Sequence, residues 1–419
     1  MPQSPTPPQP SHPGRELRGA GADATLQFRA TTIGETEQFL DVFSAAFRLN
    51  RDAARPLFYR DPFFDLKLKR ICLDAGVIVS CLTVVPCRLR VGTGIVPMAG
   101  IAGVATRPEC RRRGYAGALL TDTIQKSSSE LGFPISGLFP ADPLYYARFG
   151  WTHASSASTW TIRRDALPTG STDGVRPMAP SHPADVAAIA LLHDSVTRER
   201  TGACYRGTMR WRVIHEMMAG RETFVVDVDG RVDGYVHIET DTERQVIVIH
   251  EMHASTKAAA SALVAYLATL TDTDTIQWTA DAVDVDYFGL SDIATAAVDP
   301  DAMLRINDVR AALSAVHKDV YAAAFDGGRK SLTLIIRDSI NPANEVPVTI
   351  DAHGVRPGAD GTLAVATDIS TLTRLFVGYN SATEARDGGS FYASDDRSLA
   401  LAEKLFPKRD PQIPSLDKF

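Results

Sequence analysis

The first half of the chain alternates between the two-residue period of β-strands and the three- to four-residue period of amphipathic helices. Residues 35–47 have apolar side chains at helical spacing, and residues 70–84 form two β-rich runs around an Asp-Ala-Gly turn, which predicts a hairpin. An apolar strand is predicted over 96–106. The helix that follows repeats its apolar positions from 116 to 131, and a short strand over 134–139 comes next.

The second half continues the same mixture of helices and strands. An Asp-Gly hairpin over 224–239 lies between a helix over 184–198 and a strand over 245–252, and a helix over 256–270 follows. The last block begins with the apolar run MLRI and again mixes helical and strand patterns. Helices are predicted over 308–316 and 395–406, and strands over 331–338, 346–351 and 362–368. The pattern predicts an α+β protein.

Length and composition indicate a protein of several domains. A chain of 419 residues exceeds the size at which a single core stops growing, about 250–300 residues, and 44% hydrophobic with 22% charged residues is typical of globular domains. The polar, turn-rich stretch 165–175 is the best linker candidate. We therefore expect a proline-rich disordered arm over 1–24 and folded domains over 25–166, 173–300 and 301–419.

Charge, cysteine content and hydropathy exclude several classes of protein. A net charge of −6 argues against a large nucleic-acid footprint. The five cysteines include no C-x-x-C pair, which favours a reducing cytoplasm and no zinc ribbon. We expect neither a signal peptide nor a membrane span, because no apolar h-region or long apolar run occurs. His250 and His253 lack a third ligand at suitable spacing, so a structural pair is favoured over a metal site.

The stretch from Val104 to Gly117, VATRPECRRRGYAG, carries the chemistry. An apolar strand ends, a glycine allows a tight turn, and a new helix begins with free N–H groups, which form a binding site for phosphate oxygens. Arg111, Arg112 and Arg113 add positive charge, and Ala116 and Gly117 allow close approach to the backbone. The spacing is not that of a P-loop.

Two simpler interpretations of this stretch stay open from the residues alone. The three arginines fit a solvated basic turn or a nucleic-acid patch, although an isolated basic run in an acidic protein is a poor nucleic-acid site. Cys110, beside the arginines, could have a lowered pKa, but an inert thiol is the better expectation.

The spacing Arg111-x-x-Gly114-x-Ala116 resembles the pyrophosphate signature of the GNAT acetyltransferase superfamily. The segment Tyr145-Tyr146-Ala147-Arg148-Phe149-Gly150-Trp151 resembles that of the Eis-type (enhanced intracellular survival) enzymes of actinobacteria, as do the MLRI opening and the final Phe419. The resemblance implies an active GNAT domain, a degenerate GNAT domain and a sterol-carrier-like domain. It also implies acetyl-CoA as co-substrate, and hexamers, as trimers of dimers, that acetylate primary amines of aminoglycosides, polyamines or lysines.

The resemblance also assigns roles to individual residues. Tyr146 aligns with the general acid that protonates the coenzyme A thiolate, whereas Tyr145 is expected to be a packing residue. The carboxylate of Phe419 aligns with the general base, although Pro407, Pro411 and Pro414 alone would predict a disordered tail. The expected coenzyme-binding residues are Val104, Ala105, Thr106, Arg111, Arg112, Arg113, Gly114, Tyr115, Ala116, Gly117, Ala141 and Asp142.

Two departures from the family pattern bear on the acceptor. Lys418 stands where an acidic residue often precedes the last Phe, and no acidic residue occurs over 47–50, so a narrower range of amines is expected. Two functions of other classes are the alternatives: a non-catalytic acyl-CoA-binding scaffold, and a lipid carrier that acts through residues 301–419.

Overall fold

The computed structural model describes residues 26–59, 61–178, 183–271, 273–325, 330–361 and 363–419. The arm predicted over 1–24 lies outside the described residues. No helix in the described part of the chain is long and apolar enough to cross a membrane. The mixed helix and sheet content predicted from the hydrophobic pattern is confirmed.

The first part of the chain builds one sheet and starts a second. Its strands are β1 (Gln27–Ala30), β2 (Lys69–Asp74), β3 (Val77–Val91), β4 (Gly94–Thr106), β5 (Ile135–Leu138), β6 (Thr152–His153), β7 (Ser156–Arg163) and β8 (Val175–Pro177). Its helices are α1 (Thr36–Phe47), α2 (Arg51–Tyr59), α3 (Tyr115–Ser127) and α4 (Pro143–Ala147). The predicted hairpin turn is present, because Ala75 and Gly76 both take positive φ between β2 and β3.

The remaining elements follow in two groups. The middle group contains α5 (Pro183–Thr197), α6 (Thr208–Met217), β9 (Glu222–Val228), β10 (Arg231–Asp241), β11 (Val246–Ala254), α7 (Lys257–Thr269), β12 (Thr275–Thr279), α8 (Ala282–Tyr287), β13 (Ala294–Pro300) and β14 (Met303–Ile306). The last group contains α9 (Val309–Val316), β15 (Leu332–Arg337), β16 (Val348–Asp351), β17 (Gly354–Pro357), β18 (Leu363–Asp368), α10 (Ile369–Val377), α11 (Ala382–Asp387), β19 (Phe391–Ala393) and α12 (Asp396–Leu405).

These strands form three sheets, and two strands lie outside the sheet that their place in the sequence suggests. The sheet orders are β1-β2-β3-β4-β5-β14-β6, β13-β7-β12-β11-β10-β9-β8 and β17-β16-β15-β18-β19. Strand β14 belongs to the first sheet, although the sequence predicts that it opens the domain over 301–419. Strand β7 belongs to the second sheet, although it lies within the domain predicted over 25–166. All four residues of β14 are buried, which explains its place between two strands.

Separate apolar clusters hold helices onto these sheets. One cluster joins α3 to the first sheet through residues that include Leu82, Ala99, Ile101, Leu119 and Leu120. Another packs α1 on the opposite face, with Phe39 and Leu40 against Ile71 and Ala105. Because successive side chains of a strand point to opposite faces, β4 contributes to both clusters and becomes the centre of the first domain.

Candidate active site

The first sheet opens at the middle of β4. Parallel pairing with β5 runs over only Met98, Ala99 and Gly100, the last of which lies opposite Gly137. Beyond that point β4 continues to Thr106 while paired with β3 alone. The strands diverge, and the edge of β4 over 101–106, which includes the predicted residues Val104, Ala105 and Thr106, is left without a strand partner on the β5 side. An extended arm of a ligand can pair with such an edge.

A bulge in β4 shapes the same edge. The register with β3 shifts between Cys81 and Thr83, which face Ala105 and Ala102. Gly103 lies in this bulge with φ of 59°, a conformation that favours glycine. The Phe43 ring of α1 fills the space of the missing side chain, because a Cβ on Gly103 would lie 2.8 Å from the ring. Gly103 is thus required both for the backbone turn and for the approach of Phe43.

The loop after β4 exposes a row of backbone N–H groups at the start of α3. Arg112 and Gly114 take positive φ of 63° and 87°, which turns the chain into the helix. Among the described residues, the N–H groups from Arg112 to Gly117 donate to no protein acceptor, and Ala118 makes the first helical bond, to Gly114 O at 3.0 Å. Unpaired amides at a helix N-terminus favour an anion. Residues 111–114 are exposed, so the loop and its arginines face solvent.

The side chains of the first turn of α3 are small or directed away from this loop. The Tyr115 side chain is buried, and its hydroxyl donates to Asp74, which raises the pKa of the tyrosine. Tyr115 therefore offers the loop its backbone N–H rather than its ring. Gly117 lets α4 approach, since a Cβ there would lie 3.0 Å from the Phe149 ring and 3.8 Å from the Tyr145 hydroxyl.

Helix α4 holds Tyr146 at the edge of the α3 cluster. The Asp142 carboxylate caps the helix by accepting from the N–H groups of Leu144 and Tyr145 at 3.1 and 3.2 Å. The Tyr146 ring contacts Tyr145 and Trp151 with ring centres 5.2 and 6.1 Å apart. Burial, and then the charges of Tyr145 and Asp142, raise the pKa of Tyr146. The phenol therefore keeps its proton at neutral pH.

The C-terminal residue lies at the divergence of β4 and β5. The Phe419 ring covers Gly100, where a Cβ would come within 2.7–2.9 Å of three ring carbons. It also packs edge-on against Phe139, with ring centres 5.2 Å apart, and Phe139 directly follows β5. Only a residue without a side chain at position 100 allows the ring to lie this close to the strand.

Tyr146 and Phe419 approach the divergence from opposite faces of the sheet. Tyr146 packs against the α3 cluster, to which β4 contributes Ala99 and Ile101. Phe419 packs against the cluster that contains Met98, and it lies on the side of Gly100. Because neighbouring residues of a strand face opposite ways, Tyr146 and Phe419 pack on opposite faces of β4, next to the start of its open edge.

The structure therefore brings most of the predicted residues to one place. The edge of β4, the loop 111–114 and the first turn of α3 adjoin α4 and the tail. Ala141 and Asp142 lie at the exposed start of α4, where the Asp142 side chain is engaged as the cap. Sequence reasoning missed Gly100, although the glycine-rich run AGIAG was a usable signal for close contacts on β4.

Other candidate side chains are engaged in packing and ion pairs. Cys110 is half-buried against the α3 cluster. His250 Nε2 lies 2.9 Å from Glu239 Oε2, whereas His253 is buried and groups with His193 and Glu251. The Glu251 carboxylate accepts two hydrogen bonds from an arginine, at 2.7 and 2.9 Å, and one from Tyr235, at 2.7 Å. These bonds already engage both oxygens of the carboxylate.

Family comparisons agree with this architecture. Residues 27–154 match a family described as "Acetyltransferase (GNAT) domain", residues 199–306 match a second family of the same description, and residues 309–414 match "Sterol carrier protein domain". No match was found among curated protein sequences.

Solved structures share the fold over nearly the whole chain. A GCN5-related N-acetyltransferase from Kribbella flavida is 21% identical with a TM-score of 0.77, covering 94% of this chain and 99% of that one. Eis1 from Mycobacterium abscessus is 21% identical with a TM-score of 0.72, and the match covers 94% of this chain and 100% of Eis1. A GCN5-related N-acetyltransferase from Anabaena variabilis is 21% identical with a TM-score of 0.76, and the match covers 92% of this chain and 98% of that one. The chain is an acyltransferase of the GNAT type, with two GNAT domains and a sterol-carrier domain in the arrangement of the Eis-type proteins.

Proposed function

We propose that the chain transfers an acetyl group from acetyl-CoA directly to a primary amine, without an acyl-enzyme. The observation that carries this proposal is the row of unpaired N–H groups from Arg112 to Gly117 beside the open edge of β4. The amides and the exposed arginines fit a diphosphate, and the strand edge fits the amide-containing pantetheine arm. When bound, acetyl-CoA supplies an acyl group activated as a thioester.

Tyr146 is the proposed general acid. Its hydroxyl donates to no described protein group, and burial raises its pKa, so it holds a proton that it can give to the departing sulfur. A phenol with a pKa near or above about 10 retains its proton until a comparably basic thiolate forms. Tyr145 is less suited, because its hydroxyl lies against the first turn of α3 at Gly117.

The carboxylate of Phe419 is the proposed general base. The ring of this residue is fixed on Gly100 on the face of the sheet opposite Tyr146. A base on that face can accept the proton that the attacking amine loses, directly or through one water, while the acid acts on the other face. The separation of acid and base by the strand edge is what supports direct transfer in a ternary complex.

One carboxylate beside the tail bears on the choice of acceptor. Asp301 pairs with Lys418 at 2.8 Å. This carboxylate is thus paired within the chain, in agreement with the narrower range of amines that Lys418 leads us to expect. Aminoglycosides, polyamines and lysine side chains belong to the proposed acceptor class.

Assembly into hexamers stays a prediction from the family resemblance. Edge strand β13 exposes nearly all of its residues, with Val298 63% exposed, and so offers a surface to a second copy. Light scattering coupled to gel filtration measures the mass of the assembly and decides between a monomer and a hexamer.

A thiol-release assay with acetyl-CoA and a panel of amines tests the function. We expect release with amines from a panel of aminoglycosides, polyamines and lysine peptides, and none without an amine. Deletion of Phe419, or extension of the chain beyond it, should abolish turnover while calorimetry still detects coenzyme binding. Full activity of the extended protein would remove the carboxylate from the mechanism. Coenzyme binding without turnover of any amine would instead favour an acyl-CoA-binding scaffold.

A further inference from the structure

The last residues of the chain cross the second GNAT domain before they reach the first. Pro411 O accepts from Ser156 N at 3.1 Å, and Gln412 N donates to Thr201 O at 3.3 Å. Further along, Ser415 Oγ donates to His250 O at 2.8 Å. Ile413 and Leu416 are each only 2% exposed. The tail is therefore part of the packed structure of the second domain, and its path leads to the position of Phe419.

Asp417 lies at the centre of a buried ion network within this path. Its side chain is fully buried, as is that of Arg206, whose Nε donates to the Asp417 carboxylate at 2.8 Å. The same guanidinium holds Glu251 through two hydrogen bonds of 2.7 and 2.9 Å. The backbone N–H of Cys204 adds a bond to Asp417 at 3.3 Å. One arginine thus joins the tail to strand β11 of the second domain.

A second arginine holds the backbone on both sides of Asp417. One guanidinium nitrogen of Arg210 donates to Leu416 O at 2.9 Å and to Lys418 O at 3.2 Å. Arg210 Nε lies 3.6 Å from the Asp417 carboxylate. The carboxylate and both neighbouring carbonyls are engaged, so residues 416–418 are held at several points.

Stability alone does not explain such an arrangement. Burying charged groups costs several kcal/mol for each ion, and apolar residues of similar volume often stabilise as well or better. A network of this kind does fix one geometry. Asp417 is two residues before Phe419, and each residue spans at most about 3.6 Å, so fixing Asp417 restricts the position of the terminal carboxylate.

We propose that Asp417, Arg206 and Arg210 form an anchor in the second GNAT domain that positions the Phe419 carboxylate in the active site of the first. These are positioning residues, since they act through Phe419 rather than on the reacting atoms. The inference rests on the proposed function of Phe419 as general base. It assigns the second GNAT domain a task in catalysis that requires no coenzyme.

The test compares Asp417→Asn with a matched control, Asp185→Asn. Asp185 is also buried in the second domain and accepts two hydrogen bonds of 2.8 Å from Arg176, which is not part of the tail. We expect Asp417→Asn to lower kcat at least about tenfold, the scale of a sub-ångström displacement of a catalytic group. The Kd for acetyl-CoA should stay unchanged. Asp185→Asn should keep the wild-type kcat even where it lowers the melting temperature.

Carboxypeptidase digestion provides a readout that a merely structural role would not change. Mass spectrometry should show Phe419 released at least about tenfold faster from Asp417→Asn than from the wild type, and at the wild-type rate from Asp185→Asn. If Asp417→Asn fails to fold, Arg210→Met replaces it, because this change leaves the bonds between Arg206 and Asp417 in place. The same decrease in kcat and the same faster release are expected.

Failure of the anchor and failure of the base are distinguishable. The anchor is overturned if an anchor variant has the wild-type kcat and the wild-type resistance to carboxypeptidase. If the Phe419 deletion is inactive in that case, the proposal that Phe419 is the general base is unaffected. Turnover by the Phe419 deletion at the wild-type rate overturns the base, and with it the proposed purpose of the anchor.

Discussion

Substitution of Gly100 by alanine tests whether Phe419 must lie on β4 for catalysis. The new Cβ would be 2.7, 2.8 and 2.9 Å from three carbons of the Phe419 ring, whereas carbon atoms in contact normally lie about 3.5–4.0 Å apart. The ring must therefore retreat by roughly 0.7 Å or more. Because the ring lies on the sheet but belongs to none of its strands, it can move without unfolding the sheet, and the proposed catalytic carboxylate moves with it.

A displacement of this size has a calculable effect on the rate. A misplacement of about 1 Å can lower the rate about 100-fold, so we expect kcat to decrease between about tenfold and 100-fold. Overpacking by one methyl group destabilises by about 1–3 kcal/mol, which leaves the domain folded. The assay is thiol release at saturating acetyl-CoA and amine, with coenzyme affinity measured by calorimetry and expected to be unchanged.

Gly137→Ala is the matched control. Gly137 pairs with Gly100 in the parallel ladder, and the atoms nearest to a Cβ there belong to Leu304 and Met98, at 2.8 and 3.1 Å, rather than to the tail. Both variants should destabilise the fold by a similar amount. Only Gly100→Ala should lower kcat by more than this loss of stability accounts for. In the background Phe419→Ala, which keeps the carboxylate but lacks the ring, Gly100→Ala should have no further effect. The reasoning would be refuted if Gly100→Ala had the wild-type kcat. It would also be refuted if Gly100→Ala lowered the kcat of the Phe419→Ala variant by the same factor as it lowers that of the wild type.

Four further substitutions, one of them a control, test other parts of the site and of the core. Tyr146→Phe should lower kcat about 10²- to 10⁴-fold with unchanged coenzyme affinity in calorimetry, whereas Tyr145→Phe should change kcat by less than about threefold. Gly114→Ala forces a side chain into φ of 87°, at a cost of about 1–2 kcal/mol, and should weaken coenzyme binding about tenfold. Burial lowers the pKa of His237 to about 4, whereas the pKa of a histidine in the unfolded chain is about 6.5. The free energy of unfolding should therefore fall by roughly 3 kcal/mol as the pH falls from 6.5 to 4. In denaturant titrations, His237→Gln should reduce this dependence on pH.

The local elements of the site were predictable because their signals are local. The start of α3 follows from a glycine after an apolar strand, and the start of α4 follows from Asp142 and Pro143 at the cap and first helical positions. Neither element depends on distant parts of the chain. The assignments of acid and base remain predictions, because they come from family resemblance and concern chemistry rather than placement.

The long-range features could not be predicted from the sequence. The run MLRI indicates a buried strand, but apolar character does not identify the sheet that it joins, and β14 pairs with β5 of the first domain. Pro407, Pro411 and Pro414 alone predict a disordered tail, and only the family resemblance predicts that Phe419 enters the active site. The tail is ordered because Asp417 meets Arg206, which lies 211 positions earlier in the chain.

The second GNAT domain shows why a single coenzyme should bind each chain. Its strands β11 and β12 also diverge, after Ile249 and Trp278, but the cavity there has a volume of about 50 Å³, room for only a few waters. Thr256 caps α7 by accepting from Ala259 N at 3.2 Å, so one amide of that helix start is already satisfied, and the tail packs along β11. We therefore expect calorimetry to give one acetyl-CoA per chain, unchanged when Thr256 is replaced by glycine to free the amide. A stoichiometry of two would mean that the second domain also binds the coenzyme, and the tail would then have to leave β11 during turnover.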